Sequence, residues 1–388
     1  MVARAICTEG QMFANTDACP KGACTKPIKH MRSEAEIIER IWSRLPIAAP
    51  GRQPAWLRLG VGDDAAVLRK GLSAPSGKAN ADLVLSCDAF LENVHFLPDV
   101  HPPDSIGYKA LARATSDLAA MGAWPHLFML SIALAPSRTG AWLDGVIVGM
   151  AQAARQFGMV LIGGDTSQNA TVVMNVTVGG EVEGGRALRR SGARPGDGIY
   201  VSGTLGAAQL GLEIILRGLH RDRRWKSLLK QQLRPQIQLE LGRWLAGGTR
   251  RRPIASAATD TSDGLSTDLT HICQASGVGA RIYAQSIPVV YVPKPLQRRG
   301  LDPFELALHG GEDYQLLFTV PVAEASRIHR DFRGVPITRI GEIVSAKRSS
   351  RRRRRGYKSL RAPLIQLIDA TGRSTPLDPR GWDHFKQS

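Results

Sequence analysis

The chain has 388 residues, 43 % of them hydrophobic and 22 % charged, with 40 glycines and 23 prolines. This length supports one large or two ordinary domains around a real core, and the composition excludes wholesale disorder, collagen-like repeats and low-complexity sequence. Lys+Arg 51 against Asp+Glu 34 leaves a net +17, yet nine of those cations, with no acid among them, lie between Lys347 and Arg361. Such a block reads as a solvated loop insertion at 347–361, so a nucleic-acid partner is not expected despite the overall charge.

Residues 1–30 hold Cys7, Cys19 and Cys24 and show neither helical nor strand periodicity. With Cys87 and Cys273 the cysteines number five and form no CxxC pair, so reduced thiols are expected rather than a disulfide framework or a zinc site. The segment lacks the apolar region of a secretory signal, and no window is apolar enough for a membrane helix, which points to the cytoplasm. Residues 1–30 are therefore read as an unstructured extension, with Met31 as an alternative start. A helix follows, with Ser33 as its N-cap.

Trp56–Leu68 and Ala81–Phe90 read as strands, with Gly60-Val-Gly-Asp-Asp64 and Ser86-Cys-Asp88 at or beside their ends. Ser105–Met121 has helical spacing and closes on Gly122; Leu127–Leu134 is an apolar strand. A helix over Ala141–Phe157 and strands at Val160–Asp165 and Thr171–Val182 complete a first module, residues 31–183. The Gly-, Arg- and Pro-rich stretch Gly184–Gly198 links it to a second, residues 184–388. There the pattern gives strands at Gly198–Ser202, Ala255–Asp260, Gly279–Tyr283, Tyr314–Val320 and Ile337–Ile343, with helices at Ala207–Arg217, Arg234–Leu245 and Leu265–Ser276. Strands alternating with helices imply α/β and α+β layers.

Acids gather beside glycines at the ends of these elements: Asp63, Asp64, Asp88, Asp117, Asp165, Asp260, Asp263, Glu312 and Asp313. Each Asp-Gly or Gly-Asp pair alone makes a turn. Together they suit Mg²⁺, a hard ion that takes oxygen ligands and shares them with substrate phosphates. No Walker A loop, protein-kinase set or dinucleotide fingerprint is present. Ser202-Gly-Thr-Leu-Gly206, ahead of a helix, could offer backbone amides to a phosphate or simply form the helix-entry turn.

Taken in order, Gly62-Asp-Asp64, His95-Phe96 downstream of Asp88, Tyr108-Lys-Ala-Leu-Ala112, Ser116-Asp-Leu-Ala-Ala-Met-Gly122, Ile162-Gly-Gly-Asp-Thr166, Ala187-Leu-Arg-Arg-Ser-Gly192, Ser262-Asp-Gly-Leu265, Gly310-Gly-Glu-Asp-Tyr314 and Gly381-Trp-Asp-His-Phe385 resemble the thiamine-monophosphate kinase family. The match runs from about Met31 to Phe385. That family belongs with aminoimidazole ribonucleotide synthetase in one ATP-binding superfamily. The resemblance implies an N-terminal α/β domain whose sheet pairs across a homodimer into a barrel, and a C-terminal α+β sandwich. It implies ATP-dependent phosphorylation of thiamine monophosphate to the diphosphate. Carried over by motif, Asp64, Ser86, Cys87, Asp88, Asp117, Asp165, Asp260 and Asp263 would hold several Mg²⁺ ions. Gly164, Asp165, Arg190 and Ser262 would contact ATP, and His95, Glu312 and Trp382 the thiamine phosphate.

Cys87 stands where the family usually has Thr. A thiol is a poor ligand for magnesium, so either the backbone carbonyl serves there or one metal site is weakened. The extension at 1–30 and the basic run at 347–361 lie outside the family pattern. A purine-synthesis or selenium enzyme of the superfamily is the runner-up, but Gly310-Gly-Glu-Asp-Tyr314 and the terminal Trp382-Asp-His-Phe385 favour the thiamine enzyme. A nucleic-acid-binding protein using the basic run would leave the acids unexplained.

Overall fold

A computed structural model describes residues 57–60, 63–69, 81–248, 252–346 and 365–384. The extension at 1–30, the helix expected after Ser33 and the basic run at 347–361 lie outside the described residues. The remainder forms two mixed sheets. In the first module the elements are β1 (Leu57–Leu59), β2 (Ala66–Arg69), β3 (Ala81–Leu91), α1 (Pro103–Ala120), β4 (Trp124–Leu134), α2 (Ala141–Phe157), β5 (Val160–Gln168) and β6 (Val173–Glu183). They build a six-stranded sheet ordered β1-β2-β3-β6-β4-β5. Every pairing is antiparallel except β4 with β5. Among the described residues the sheet is open and ends on β5.

The second module contributes β7 (Gly198–Ser202), α3 (Ala207–Leu216), α4 (Lys230–Leu233), α5 (Leu239–Leu245), β8 (Ala257–Asp260), α6 (Leu265–Ser276), β9 (Gly279–Tyr283), α7 (Lys294–Gln297), α8 (Pro303–His309), β10 (Leu316–Val320), β11 (Asp331–Phe332), β12 (Val335–Val344), β13 (Ile365–Ile368) and β14 (Ser374–Pro376). Its sheet runs β14-β13-β9-β12-β7-β10-β8, with β11 on β12. Leu265, Leu269 and Ile272 of α6 fill the core under this sheet with Ile199, Val201, Ile282 and Leu317.

Most expected elements recur within a few residues of their expected ends. Three differences have local causes. The strand expected over Trp56–Leu68 is two antiparallel strands, β1 and β2, because Asp63 and Asp64 occupy the turn between them. The helix expected over Arg234–Leu245 begins only at Leu239: Pro235 disfavours helical backbone at Arg234, which sits at φ −143°, ψ 74°. The one-turn helix α7 and the short strands β13 and β14 carry too few residues for a periodic pattern to reveal them.

The element that positions the site is α1. It reads as an ordinary amphipathic helix, yet fourteen of its eighteen residues are buried, because it lies between the two modules. It packs on β3, β4 and β6 on one side and on β8 and α5 on the other, within one continuous core. Against α2 it crosses at glycines: a Cβ on Gly107 would lie 1.8 Å from the Val146 carbonyl oxygen, and one on Gly149 would lie 1.7 Å from that of Asp104. Only glycine permits this approach, so the polar residues of α1 are held in a fixed place.

Candidate active site

The turn ahead of β2, the interior of β3, the end of β8 and the cleft-facing stripe of α1 converge. Lys109, Arg113 and Asp117 are spaced i, i+4, i+8, so they share one side of α1. Period-two alternation along β3 turns Ser86 and Asp88 toward that stripe. The Ser86 hydroxyl donates to Asp117 Oδ2, and Arg113 Nε donates to Asp88 Oδ2 at 2.9 Å. From the second module, β8 delivers Asp260, which accepts a hydrogen bond from Ser116 Oγ at 2.5 Å.

Asp64, Asp117 and Asp260 bring one carboxylate oxygen each within 4.8 Å of one another. Burial, and then the neighbouring carboxylates, push the Asp117 carboxyl well above its ordinary range and that of Asp260 up to about 7. Burial and Asp64 likewise raise Asp63 to about 6. Arg190 pairs with Asp64 Oδ1, and its backbone N–H donates to Asp63. Asp64 Oδ2 is buried and has no hydrogen-bond partner among the described residues. Crowded carboxylates with an orphaned oxygen constitute an all-oxygen donor set of the type that suits Mg²⁺. The residues present therefore fit that ion.

Beside this cluster opens a cleft lined by Asp88, Asp117, Asp260, Ser262, Asp263 and Glu312 together with His95 and Trp382. One wall is aromatic. His95 stacks on Phe90 at 5.6 Å, and His384 meets both His95 and Trp382 edge-on at 5.4 Å. Burial holds the His95 imidazole well below its ordinary range, so the ring is neutral. Its Nδ1 accepts the Leu91 N–H at 2.9 Å, which assigns the ring proton to Nε2. Opposite, Glu312 accepts from Lys109 Nζ at 2.7 Å and from Gln232 Nε2 at 3.1 Å. Burial alone would raise the Glu312 carboxyl, but the Lys109 ammonium outweighs it and holds the group below the usual range.

Three of the expected site residues lie elsewhere. The Cys87 side chain points to the opposite face of β3, where its thiol donates to Asn175 Oδ1 at 2.8 Å and accepts from Thr177 Oγ1 at 3.2 Å. Alternation explains it, since Ser86 and Asp88 face the cleft; a side-chain role for Cys87 in the cleft does not agree with this placement. Gly164 and Asp165 sit on β5, exposed along its whole length, and do not line the cleft. The amides at the start of α3 are also taken, because Asp313 accepts from Gly206 N and, at 2.9 Å, from Ala208 N. Ser202–Gly206 is thus a helix-entry turn closed by a carboxylate. Sequence reasoning missed Lys109, Arg113, Tyr314 and His384. The first two were legible from helical spacing, eight and four residues before Asp117; Tyr314 follows Asp313, and His384 lies two residues after Trp382.

Comparison with known proteins agrees with this architecture. Residues 62–182 match the AIR synthase related protein N-terminal domain, and residues 194–353 the AIR synthase related protein C-terminal domain. Thiamine-monophosphate kinase of Escherichia coli (strain K12) is 37 % identical over 338 residues, covering 85 % of this chain and 92 % of that protein. The chain belongs to the thiamine-monophosphate kinase family. The Bacillus subtilis (strain 168) member of the family is 32 % identical over 334 residues, 84 % of this chain and 94 % of its own. Among solved structures, "AaThiL complexed with AMPPCP and TMP" superposes with a TM-score of 0.72 at 28 % identity, covering 91 % of this chain and 97 % of that one. Thiamine-monophosphate kinase from Stenotrophomonas maltophilia K279a gives a TM-score of 0.63 at 37 % identity over 81 % of this chain and 96 % of its own. Hydrogenase maturation protein HypE, at 22 % identity, shares the fold.

Proposed function

We propose that this chain phosphorylates thiamine monophosphate with ATP, giving thiamine diphosphate and ADP by direct in-line transfer that requires Mg²⁺. The observation that carries the reading is the buried convergence of Asp64, Asp117 and Asp260 beside a cleft with an aromatic wall. Membership of the family and the likeness to a structure bound to AMPPCP and TMP support it.

A phosphate monoester has its second pKa near 6, so at neutral pH the acceptor is already mostly dianionic and needs no general base. The barrier is repulsion between two anions. Asp64, Ser86, Asp88, Asp117, Asp260 and Asp263 are assigned to metal binding. Mg²⁺ held by these residues would supply positive charge against the repulsion of the two anions. Arg190 adds a fixed positive charge for ATP, and Ser262 a hydroxyl. The neutral His95 offers Nε2–H to an acceptor, Glu312 accepts from a ring donor, and Trp382 gives the heteroaromatic rings a face to stack on.

Homodimerisation belongs to the same proposal. Among the described residues β5 has no partner on its outer edge, where Val160, Leu161 and Ile162 are each more than half exposed, and such an edge is a template for pairing with another chain. A second copy there would close a barrel and bring Gly164 and Asp165 under cover. The domain limits 31–183 and 184–388, with 1–30 as extension and 347–361 as insertion, complete the reading. Among the described residues no helix is long and apolar enough to cross a membrane, and a cytoplasmic place of action is proposed with the use of ATP.

The test is an assay of purified protein with ATP, Mg²⁺ and thiamine monophosphate that follows thiamine diphosphate and ADP together. Stoichiometric appearance of both, lost with EDTA, is the expected result. No product with ATP still bound would point to a sister activity of the superfamily. Isotopically chiral γ-phosphate is expected to transfer with inversion; retention refutes a single displacement.

A further inference from the structure

We propose that Lys109 is the positioning residue that fixes Glu312 as an anionic hydrogen-bond acceptor, and so makes the cleft selective for a substrate ring that carries a donor at that point. The inference rests on the reading of Glu312 as a substrate contact and assigns its selectivity.

Lys109 and Glu312 are among the most enclosed charged residues described, with side chains 2 % and 3 % exposed. Lys109 Nζ and Gln232 Nε2 both donate to the same oxygen, Oε2. Among the described residues Oε1 is left buried without a hydrogen-bond partner, on a residue that lines the cleft. A pair that served packing alone would gain by satisfying both oxygens; leaving one orphaned is costly unless a ligand completes it. The backbone agrees. Glu312 holds φ 66° and Tyr314 φ 49°, left-handed conformations that side chains other than glycine rarely adopt. Glu312 N–H donates to the Ser262 carbonyl at 2.8 Å and Tyr314 N–H to that of Thr261 at 3.0 Å, so the fold imposes the strain at the cleft.

The chemistry of the pair then decides what Oε1 accepts. An ionised carboxylate only accepts hydrogen bonds, whereas a protonated carboxyl or a carboxamide also donates. A buried Glu without its cation takes up a proton. Lys109 thus keeps Glu312 a pure acceptor, which favours an amino-bearing heterocycle over one bearing an oxo group at the same position. Lys109 acts through Glu312 and touches no reacting atom.

The experiment measures kcat and KM for thiamine monophosphate, for oxythiamine monophosphate, in which an oxo group replaces the ring amino group, and for ATP. It uses wild type, Lys109→Met, Glu312→Gln and the double variant. Wild type is expected to prefer the amino compound by on the order of 10²-fold in kcat/KM. Lys109→Met is expected to raise KM for thiamine monophosphate about tenfold, leave KM for ATP unchanged and cut the preference to about tenfold or less. The double variant should be no worse than Glu312→Gln alone. Unchanged KM and preference in Lys109→Met, equal losses toward both substrates, or multiplied losses in the double variant each overturn the proposal. If Lys109→Met does not fold, Glu312→Gln against the double variant decides, since the neutral pair keeps the packing. A double variant that fails to fold where Glu312→Gln folds also overturns it, for Lys109 would then act independently of Glu312. Wild type that phosphorylates neither compound refutes the proposed function itself, a separate outcome.

Discussion

The backbone N–H of Trp382 donates to the carbonyl of Asp263 at 3.1 Å, which fastens the C-terminal segment to the loop that carries a cleft carboxylate. Gly381 N–H donates to Thr267 Oγ1 at 3.1 Å beside it, and Asp268, 1 % exposed, accepts from Gly264 N at 3.0 Å on the other side of the loop. The aromatic face and the carboxylate are thus positioned by one turn of chain.

That coupling makes Gly381 a test site. A Cβ there would lie 2.1 Å from the Asp263 carbonyl oxygen, so Gly381→Ala must shift both groups. We expect kcat/KM for thiamine monophosphate to fall by on the order of 10²-fold with little change in Tm. Steady-state kinetics beside a thermal melt would check it; unchanged kinetics would mean that Trp382 and Asp263 act separately.

Side-chain alternation on β3 gives a second prediction. Cys87→Thr and Cys87→Ala should leave the Mg²⁺ dependence of turnover unaltered, since the thiol faces Asn175 and Thr177. Ser86→Ala removes the hydroxyl bonded to Asp117 and should raise the half-saturating Mg²⁺ concentration severalfold. Magnesium titrations of the three variants separate the two faces.

Removing a cleft charge is the direct trial of the site. Asp263→Asn and Asp88→Asn are expected to lower kcat by at least about 10³-fold while the far-UV circular dichroism stays native. Asp88→Asn also strands the Arg113 guanidinium, which is bonded to Asp88, and the loss of one member of an enclosed pair costs up to about 3–5 kcal/mol. Its stability therefore needs measuring alongside. Wild-type activity in Asp263→Asn would place the site elsewhere.

The raised carboxyls predict a pH trend in metal-free protein. A carboxyl whose folded pKa exceeds its unfolded value binds its proton more tightly when native, so stability falls as pH rises through the interval between the two. For Asp260 and Asp313, both raised to about 7 by burial, that interval runs from about 4 to about 7. His101 and His271, lowered to about 4 by burial, work in the opposite direction but are spent by about pH 6.5. In EDTA, Tm should therefore fall from pH 6.5 to 7.5, and added Mg²⁺ should raise Tm more at 7.5 than at 5.5. Differential scanning calorimetry would read it; a flat profile in EDTA would mean the carboxylate cluster is not destabilising.

The exposed edge strand supplies the last prediction. Leu161→Asp should shift the protein from dimer to monomer in sedimentation velocity and remove activity, with secondary structure kept. A monomeric wild type would remove the closed barrel from the reading.

Periodicity was enough to reveal the strands and helices long enough to show it, and the ordered motifs were enough to mark the family. Asp88, Asp117, Asp260 and Asp263 were legible because acids beside small residues recur too often for turns alone, and Ser86 through the family motif. The sequence could not order them in space. Which of them meet depends on α1 lying between two sheets and on contacts of high sequence separation: Ser116 with Asp260 and Lys109 with Glu312 from α1, and Arg190 with Asp64 beside it. The side on which Cys87 falls depends on strand register, which the pairing of β3 with β2 and β6 sets. That Asp313 already fills the amides of α3 depends on two loops 105 residues apart meeting. Local sequence fixes dihedral preference and periodicity, whereas the cleft is made of long-range contacts whose energies exist only once the chain is folded.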